Sequence, residues 1–204
     1  MNSKTVIGLV GEKGGGKETV GNSILQLSKG NRFQMMVNAL KKKEVFFRIR
    51  SSDILKEVLA SYGIPQTRFN LQRLPEGMED MFGDGALTND VKQRILSSNA
   101  DINIFDGVRW ISDEKMIRSF VAPHKNILIY VTAPVADRYE RVKMRKEKEG
   151  EFGVSLEQFL QEEKASTETM IPIIGAHADF KIENSGTIRD LEIKVRKIYE
   201  SAIR

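Results

Sequence analysis

Residues 6–17 read Val-Ile-Gly-Leu-Val-Gly-Glu-Lys-Gly-Gly-Gly-Lys, and this stretch decides the fold. The apolar run at 6–10 predicts a buried strand, and apolar residues at helical spacing further on predict a helix. Gly11, Gly16 and Lys17 have the G-x-x-x-x-G-K spacing of a phosphate-binding P-loop placed between such a strand and helix. Glycine reaches positive φ easily and leaves the backbone uncovered, so loop amides and the helix N-terminus can face an anion. The stretch therefore predicts a site for nucleotide phosphates.

This motif also predicts which residues would hold ATP and Mg²⁺. The ammonium of Lys17 would follow the β- and γ-phosphates. The next position usually carries Ser or Thr, whose hydroxyl binds the metal, but this chain has Glu18 followed by Thr19. Either the Thr19 hydroxyl or the Glu18 carboxylate, acting through a water, would serve the metal, and the sequence leaves both open. The predicted nucleotide-binding set is Gly11, Lys13, Gly14, Gly15, Gly16, Lys17, Glu18 and Thr19.

Composition narrows the class of protein. The 204 residues suffice for one ordinary domain with a continuous core, and we expect a single domain over 1–204. The chain has no cysteine, which excludes disulfides, cysteine metal sites and cysteine nucleophiles. No apolar run approaches a membrane span, and the first strand starts too early to leave room for a signal peptide, so we expect a cytoplasmic protein. A net charge of +4 agrees with an anionic ligand and does not require nucleic acid.

Apolar runs and helical patterns alternate along the chain. This alternation predicts an α/β fold with a parallel five-stranded sheet covered on both faces, a three-layer α/β/α arrangement. Between Thr67 and about Ser98 we expect two helices with a joint among Pro75, Gly77 and residues 83–85, and a helix from Ser155 to about Met170. The strands are expected near 6–10, 45–49, 100–106, 127–131 and 178–183.

Asp106 ends the third predicted strand, at the sheet edge where ligands bind in open α/β folds. An acid at this place, together with a P-loop, forms the usual pair of Mg·ATP elements, with the acid holding the metal or its waters. Arg109 follows closely and offers a planar fork that suits phosphate. We predict a metal role for Asp106 and an acceptor-phosphate role for Arg109.

These motifs resemble the P-loop small-molecule kinases of the nucleoside monophosphate kinase superfamily. Residues 11–17 with an acid at 18, and Asp106-Gly107-Val108-Arg109 with Asp113 nearby, are most similar to the deoxynucleoside monophosphate kinase and dephospho-CoA kinase-like branch. That branch carries Asp where this chain has Glu18. The resemblance implies the P-loop NTPase fold with a helical lid at about 134–170 and an acceptor-binding insertion at about 50–98. It also implies that Ser52, Asp53 and Arg68 lie on the acceptor side.

The charged segment from Asp137 to Glu149 contains Arg138, Arg141 and Arg145 at helical spacing. A basic row of this kind resembles the lid of a monophosphate kinase, in which guanidinium groups stabilise the transferred phosphoryl group. An ordinary solvated helix is the competing interpretation, because lysines and glutamates alternate along it. We predict catalytic roles for Arg138 and Arg141.

The resulting expectation is ATP-dependent phosphoryl transfer to a small phosphorylated acceptor, most simply a nucleoside or deoxynucleoside monophosphate. Such an acceptor is mostly dianionic at neutral pH and needs no general base. One alternative is a dephospho-CoA kinase-like reaction on a hydroxyl, with Asp53 as base; others are a P-loop ATPase and a regulatory nucleotide-binding protein. Nucleic-acid binding is disfavoured because the basic residues are dispersed among acids.

Overall fold

The computed structural model describes residues 3–30, 45–144, 155–164 and 166–204 of the chain, without the side chains of Arg68, Ser166 and Thr167. The basic cluster Lys41 to Lys43 and Arg145 lie outside the described residues.

Five parallel strands form one sheet in the order β2-β3-β1-β4-β5. The sheet and its parallel orientation confirm the predicted fold class. The P-loop strand β1 lies in the centre of the sheet, between β3, which carries Asp106, and β4. The strands are β1 (Thr5–Val10), β2 (Phe46–Ile49), β3 (Ile102–Val108), β4 (Lys125–Thr132) and β5 (Phe180–Glu183).

Helices cover both faces of this sheet. They are α1 (Lys17–Lys29), α2 (Ser51–Ser61), α3 (Arg68–Phe82), α4 (Ala86–Ser97), α5 (Ile111–Arg118), α6 (Val135–Met144), α7 (Leu156–Glu162), α8 (Ser166–Thr169), α9 (Ile171–Ala176) and α10 (Ile188–Ile198), followed by a π-helical turn (Tyr199–Ile203).

The two faces of the sheet pack against different helices because side chains alternate along each strand. Ile7 and Leu9 of β1 point to a cluster completed by α1 and α10. Val6 and Val10 point to a second cluster, completed by residues of α2, α4, α5 and α9. Nearly all of these strand side chains are buried, which accounts for the continuous apolar runs in the sequence.

Three local predictions differ from the structure. The helix α3 continues through Pro75 and Gly77, so the joint between the two helices is confined to residues 83–85. The helix expected from Ser155 to Met170 is interrupted after Glu162 and resumes as short segments. Strand β3 runs two residues beyond Asp106, and the register against β1 shifts there, with Gly107 at φ 124°. This bulge leaves Gly107 without a partner on β1.

No helix in the described ranges is both long and apolar enough to cross a membrane.

Candidate active site

The P-loop forms a tight backbone cradle at the carboxyl end of β1. A Cβ atom on Gly11 would lie 2.1 Å from the carbonyl oxygen of Val131, and one on Gly15 would lie 2.8 Å from it. Gly14 and Gly16 adopt φ of 79° and 102°, a region that favours glycine. Each of these loop positions therefore needs glycine for space, conformation or both.

The start of α1 is arranged for an anion. Its N-cap is Gly16, which has no side chain to satisfy the first amides of the helix. Within the described part of the chain, the amides of Gly14 and Gly16 donate to no other group. Uncapped amides and the positive end of the helix dipole attract phosphate oxygens. The cradle therefore fits the polyphosphate that the motif predicts.

Lys17 is folded back into this cradle. Its Nζ donates to the carbonyl oxygens of Gly11 and, at 3.2 Å, of Glu12. Burial, and secondarily the positive charge of Arg109, lower the pKa of Lys17 from 10.5 to about 8. A polyanion bound beside this desolvated ammonium would stabilise its charged form. The carboxylates that oppose the lowering belong to Asp106, Glu168 and Glu12.

Asp106 is buried at the carboxyl edge of the sheet and is held by Arg48 of β2 and by Arg50, the N-cap residue of α2. Nε of Arg48 donates to its Oδ2 at 3.1 Å, Nη2 of Arg48 donates to the same oxygen, and Nε of Arg50 does so at 3.3 Å. Arg48 also donates to Asn22 of α1 at 2.8 Å. The guanidinium of Arg48 packs directly over Gly21, where an added Cβ would lie only 2.9 Å from Cζ of Arg48. All three contacts use Oδ2 of Asp106, which leaves Oδ1 for a metal or its waters.

Glu18 lies within reach of the same system. Arg50 donates from Nη2 to its Oε1 at 3.1 Å, so one guanidinium bridges Glu18 and Asp106. Burial would lower the pKa of Arg50, but the charges of Asp106, Glu18 and Asp53 outweigh burial and raise it. Thr19 is half-buried in the first turn of α1. The described residues contain no preformed cluster of three or more metal-ligating side chains, so a Mg²⁺ held here would share its coordination with phosphate oxygens and waters.

Arg109 lies near enough to Lys17 to lower its pKa, and its Nη1 donates to Oε1 of Glu168 in α8. Asp113 fixes the backbone of the turn that carries Arg109. Its Oδ2 accepts hydrogen bonds from the backbone amides of Arg109 and Trp110 at 3.0 and 3.1 Å. The Thr88 hydroxyl donates to the other oxygen of Asp113 at 2.7 Å. Burial raises the pKa of Asp113 despite these hydrogen bonds.

Arg138 and Arg141 of α6 brace the P-loop from its outer side. Arg138 is 5% exposed; it donates to the carbonyl of Ala133 at 3.0 Å and binds both carboxylate oxygens of Glu163. Arg141 donates to the carbonyl of Asn184 at 2.7 Å and approaches that of Gly14 at 3.4 Å. In this structure both guanidinium groups are thus engaged with protein atoms.

The residues expected on the acceptor side begin the helices that follow β2. Ser52 and Asp53 lie in the first turn of α2, with Ser52 exposed and Asp53 half-buried near Arg50. Arg68 begins α3, and its side chain lies outside the described residues.

Five residues of the site were missed by sequence reasoning. Lys13 of the loop binds Glu162 at 2.9 Å, and the amide of Asn184 donates to the carbonyl of Gly15 at 3.0 Å. The hydroxyl of Tyr130 donates to Glu12. No sequence motif surrounds the three glutamates at 162, 163 and 168. Their frequency in this short stretch is the one sequence feature that could have indicated a role in the site. The missed residues are Glu12, Glu162, Glu163, Glu168 and Asn184.

Comparisons with known proteins agree with this architecture. No family model matches the chain. It is 27% identical over 149 residues to a UPF0200/UPF0201 protein of Archaeoglobus fulgidus, a match that covers 72% of this chain and only 45% of that protein. It is 25% identical over 165 residues to a UPF0200 protein of Thermococcus gammatolerans, covering 80% of this chain and 86% of that one.

Among solved structures, the shikimate kinase of Bacteroides thetaiotaomicron superposes with a TM-score of 0.61. The superposition covers 96% of this chain and 97% of the kinase at 13% sequence identity. The chain therefore has the fold of P-loop kinases.

Proposed function

We propose that this protein transfers the γ-phosphoryl group of ATP to a small phosphorylated acceptor, a nucleoside or deoxynucleoside monophosphate. One observation carries the proposal: the glycine cradle with Lys17 folded into it, the carboxylate of Asp106 and the guanidinium of Arg109 meet at one sheet edge. This combination supplies a polyphosphate site, a metal-facing acid and a second anion site side by side.

The residues would act by positioning and charge neutralisation, as phosphoryl transfer requires. The loop amides and Lys17 would hold the β- and γ-phosphates, and Arg109 would hold the acceptor phosphate in line. Asp106, with Glu18 or Thr19, would hold Mg²⁺, which supplies further neutralisation of the phosphate charge. Arg138 and Arg141 would keep the loop rigid, and any direct contact with the transferred group would require them to leave their present partners.

Several arginines favour an anionic acceptor. Arg48, Arg50 and Arg109 all lie toward the side of the cleft formed by β2 and the end of β3. A dianionic phosphate needs such cations and no base.

The second candidate is phosphorylation of a hydroxyl. It is favoured by the position of Asp53, whose carboxylate is near enough to Arg50 to affect its pKa. Asp53 would then act as general base.

The test measures ATP turnover with a panel of ribo- and deoxynucleoside monophosphates and dephospho-CoA. We expect at least one monophosphate to stimulate turnover, and Lys17→Ala to reduce the stimulated rate by about 10²–10³-fold because a cation at the phosphates is lost. Asp53→Asn separates the candidates, because only a hydroxyl acceptor needs the base. Turnover that no acceptor stimulates would contradict the proposal and indicate an ATPase.

A further inference from the structure

Among the described residues, Glu168 hydrogen-bonds to the site through the side chain of Arg109, and its charge also acts on Lys17. Its carboxylate is 15% exposed, whereas the Arg109 side chain is 41% exposed. Oε1 of Glu168 accepts from Nη1 of Arg109, while Oε2 is buried and has no hydrogen-bond partner in the described ranges of the chain. Arg109 is therefore the hydrogen-bond donor to a largely buried carboxylate.

Because Glu168 is much less exposed than Arg109, we expect the ion pair to stay intact when a ligand binds. Removing one partner of a buried ion pair strands the other charge, which is strongly destabilising. If Arg109 left, Oε1 of Glu168 would lose the donor that the structure shows for it, beside an Oε2 that is already buried and unpaired in the part of the chain that the structure describes. A competing phosphate would have to overcome that loss, so Glu168 is better suited to hold Arg109 than to be displaced from it.

The pair leaves most of the guanidinium available. Among the described residues, Nε and Nη2 of Arg109 donate to no group. The backbone of Arg109 is fixed separately by Asp113. A guanidinium fixed at its backbone and at one terminal nitrogen presents its remaining N–H groups as a fork, the geometry that suits a phosphate.

Resting on the proposed function, we propose that Glu168 is a positioning residue that aligns Arg109 for the phosphate of the acceptor. It acts from α8, which lies inside the segment predicted as the lid, and it does not itself touch the acceptor. Loss of Glu168 should therefore weaken acceptor binding more than binding of the nucleotide at the P-loop, which Glu168 affects only through its charge near Lys17.

The first experiment needs no catalytic activity. The rate at which phenylglyoxal modifies Arg109 is followed by peptide mass spectrometry in the wild type, Glu168→Gln and Glu168→Ala. Because a charge-assisted hydrogen bond is lost, we expect Glu168→Ala to speed modification about tenfold. Glu168→Gln, which keeps an oxygen acceptor, should give an intermediate rate. Equal rates in all three proteins would overturn the proposal.

A matched control is available away from the site. Glu57 binds Arg94 at 2.7 Å between α2 and α4. Glu57→Ala should leave the modification rate of Arg109 unchanged, which separates release of Arg109 from general loosening. An equal acceleration in Glu57→Ala would count against a specific role for Glu168.

The second experiment measures acceptor binding through Trp110, the single tryptophan of the chain, which neighbours Arg109 and is 39% exposed. ADP-loaded protein is titrated with AMP, GMP, CMP, UMP and dTMP while its fluorescence is recorded. We expect Glu168→Ala to raise the Kd of the bound monophosphate about tenfold and to change the Kd of ADP by a smaller factor.

The possible outcomes distinguish the two proposals. Unchanged or tighter monophosphate binding in Glu168→Ala would overturn the positioning role. If no monophosphate binds the wild type while Arg109 modification still accelerates in Glu168→Ala, the pairing is supported and the proposed class of acceptor is wrong.

Discussion

Lys17 illustrates how burial prepares a residue for its ligand. Its ammonium is enclosed by the loop that it would serve, and its pKa falls to about 8 because burial disfavours the charged form. A polyphosphate bound beside it would favour the charged form and raise the pKa again. Protonation of this residue and nucleotide binding are therefore linked.

This linkage predicts a proton uptake that depends on pH. Below pH 8 the ammonium is already formed in the free protein, and binding takes up no proton at Lys17. Between pH 8 and 10.5 the free protein holds a neutral amine, so ADP binding should take up a proton and affinity should fall as pH rises. Calorimetry at pH 9 in buffers of different ionisation enthalpy measures this uptake.

Two variants check the assignment of that proton. Lys17→Met should abolish the uptake at pH 9, whereas Lys29→Met, at the exposed end of α1, should preserve it. Equal uptake in the wild type and Lys17→Met would show that another group titrates.

At the scale of elements, ion pairs join the segment around α7 and α8 to the rest of the site. Glu162 binds Lys13 of the P-loop, Glu163 binds Arg138 of α6, and Glu168 binds Arg109. These short helices have few turns of their own to stabilise them, so their placement depends on these tertiary contacts.

The pair of Glu163 and Arg138 should contribute most to stability, because the guanidinium is 6% exposed. Glu163→Ala leaves that charge without its carboxylate, and we expect the free energy of unfolding to fall by about 2–3 kcal/mol. Urea unfolding measures the change. As a control, Glu140→Ala removes the half-exposed partner of Lys143 on the same helix and should change stability by less than about 0.5 kcal/mol. A similarly small loss in Glu163→Ala would contradict a structural role for the pair.

The strands and most helices were predictable because their signals are local. The apolar runs of β1, β3 and β4 are buried on both faces, and Thr187 caps α10 as its sequence suggests. Pro75 shows where prediction from local signals fails. Local propensity disfavours a helix at this residue, but α3 packs against α2 and α4 and continues through it. The positions of the P-loop and Asp106 followed from spacing within short stretches. The attachment of Arg48 to Asp106 and of Glu168 to Arg109 did not, because each depends on residues 58 or 59 positions apart.

Across the whole molecule, the first and last strands are joined at the P-loop. Asn184, just after β5, donates from its side chain to Gly15, and its amide N–H donates to Thr132 at 2.7 Å. Its side chain also limits Gly16, where a Cβ would approach Nδ2 to 2.4 Å. The shape of the phosphate cradle is thus set partly by a residue far away in sequence.

Asn184→Ala tests this brace. Loss of one buried hydrogen bond should raise the Kd of ADP by about three- to tenfold, because the loop is less firmly held. Calorimetric titration with ADP gives the value. Asn126→Ala is the matched control: Asn126 also bonds through its side chain, to Arg118 and Phe120, near the opposite end of β4. An ADP affinity that survives Asn184→Ala unchanged would show that the cradle holds its shape without the brace.

The same brace has a consequence for biosynthesis. The glycine loop is made before the side chain that steadies it, which is added 167 residues after Lys17 (184 minus 17). At about 5–20 residues per second, the nascent loop waits on the order of ten seconds or more for that support. A translating chain therefore gains the hydrogen bond from Asn184 to its phosphate cradle only after the fifth strand has been made, and until then the loop must hold its shape without this bond.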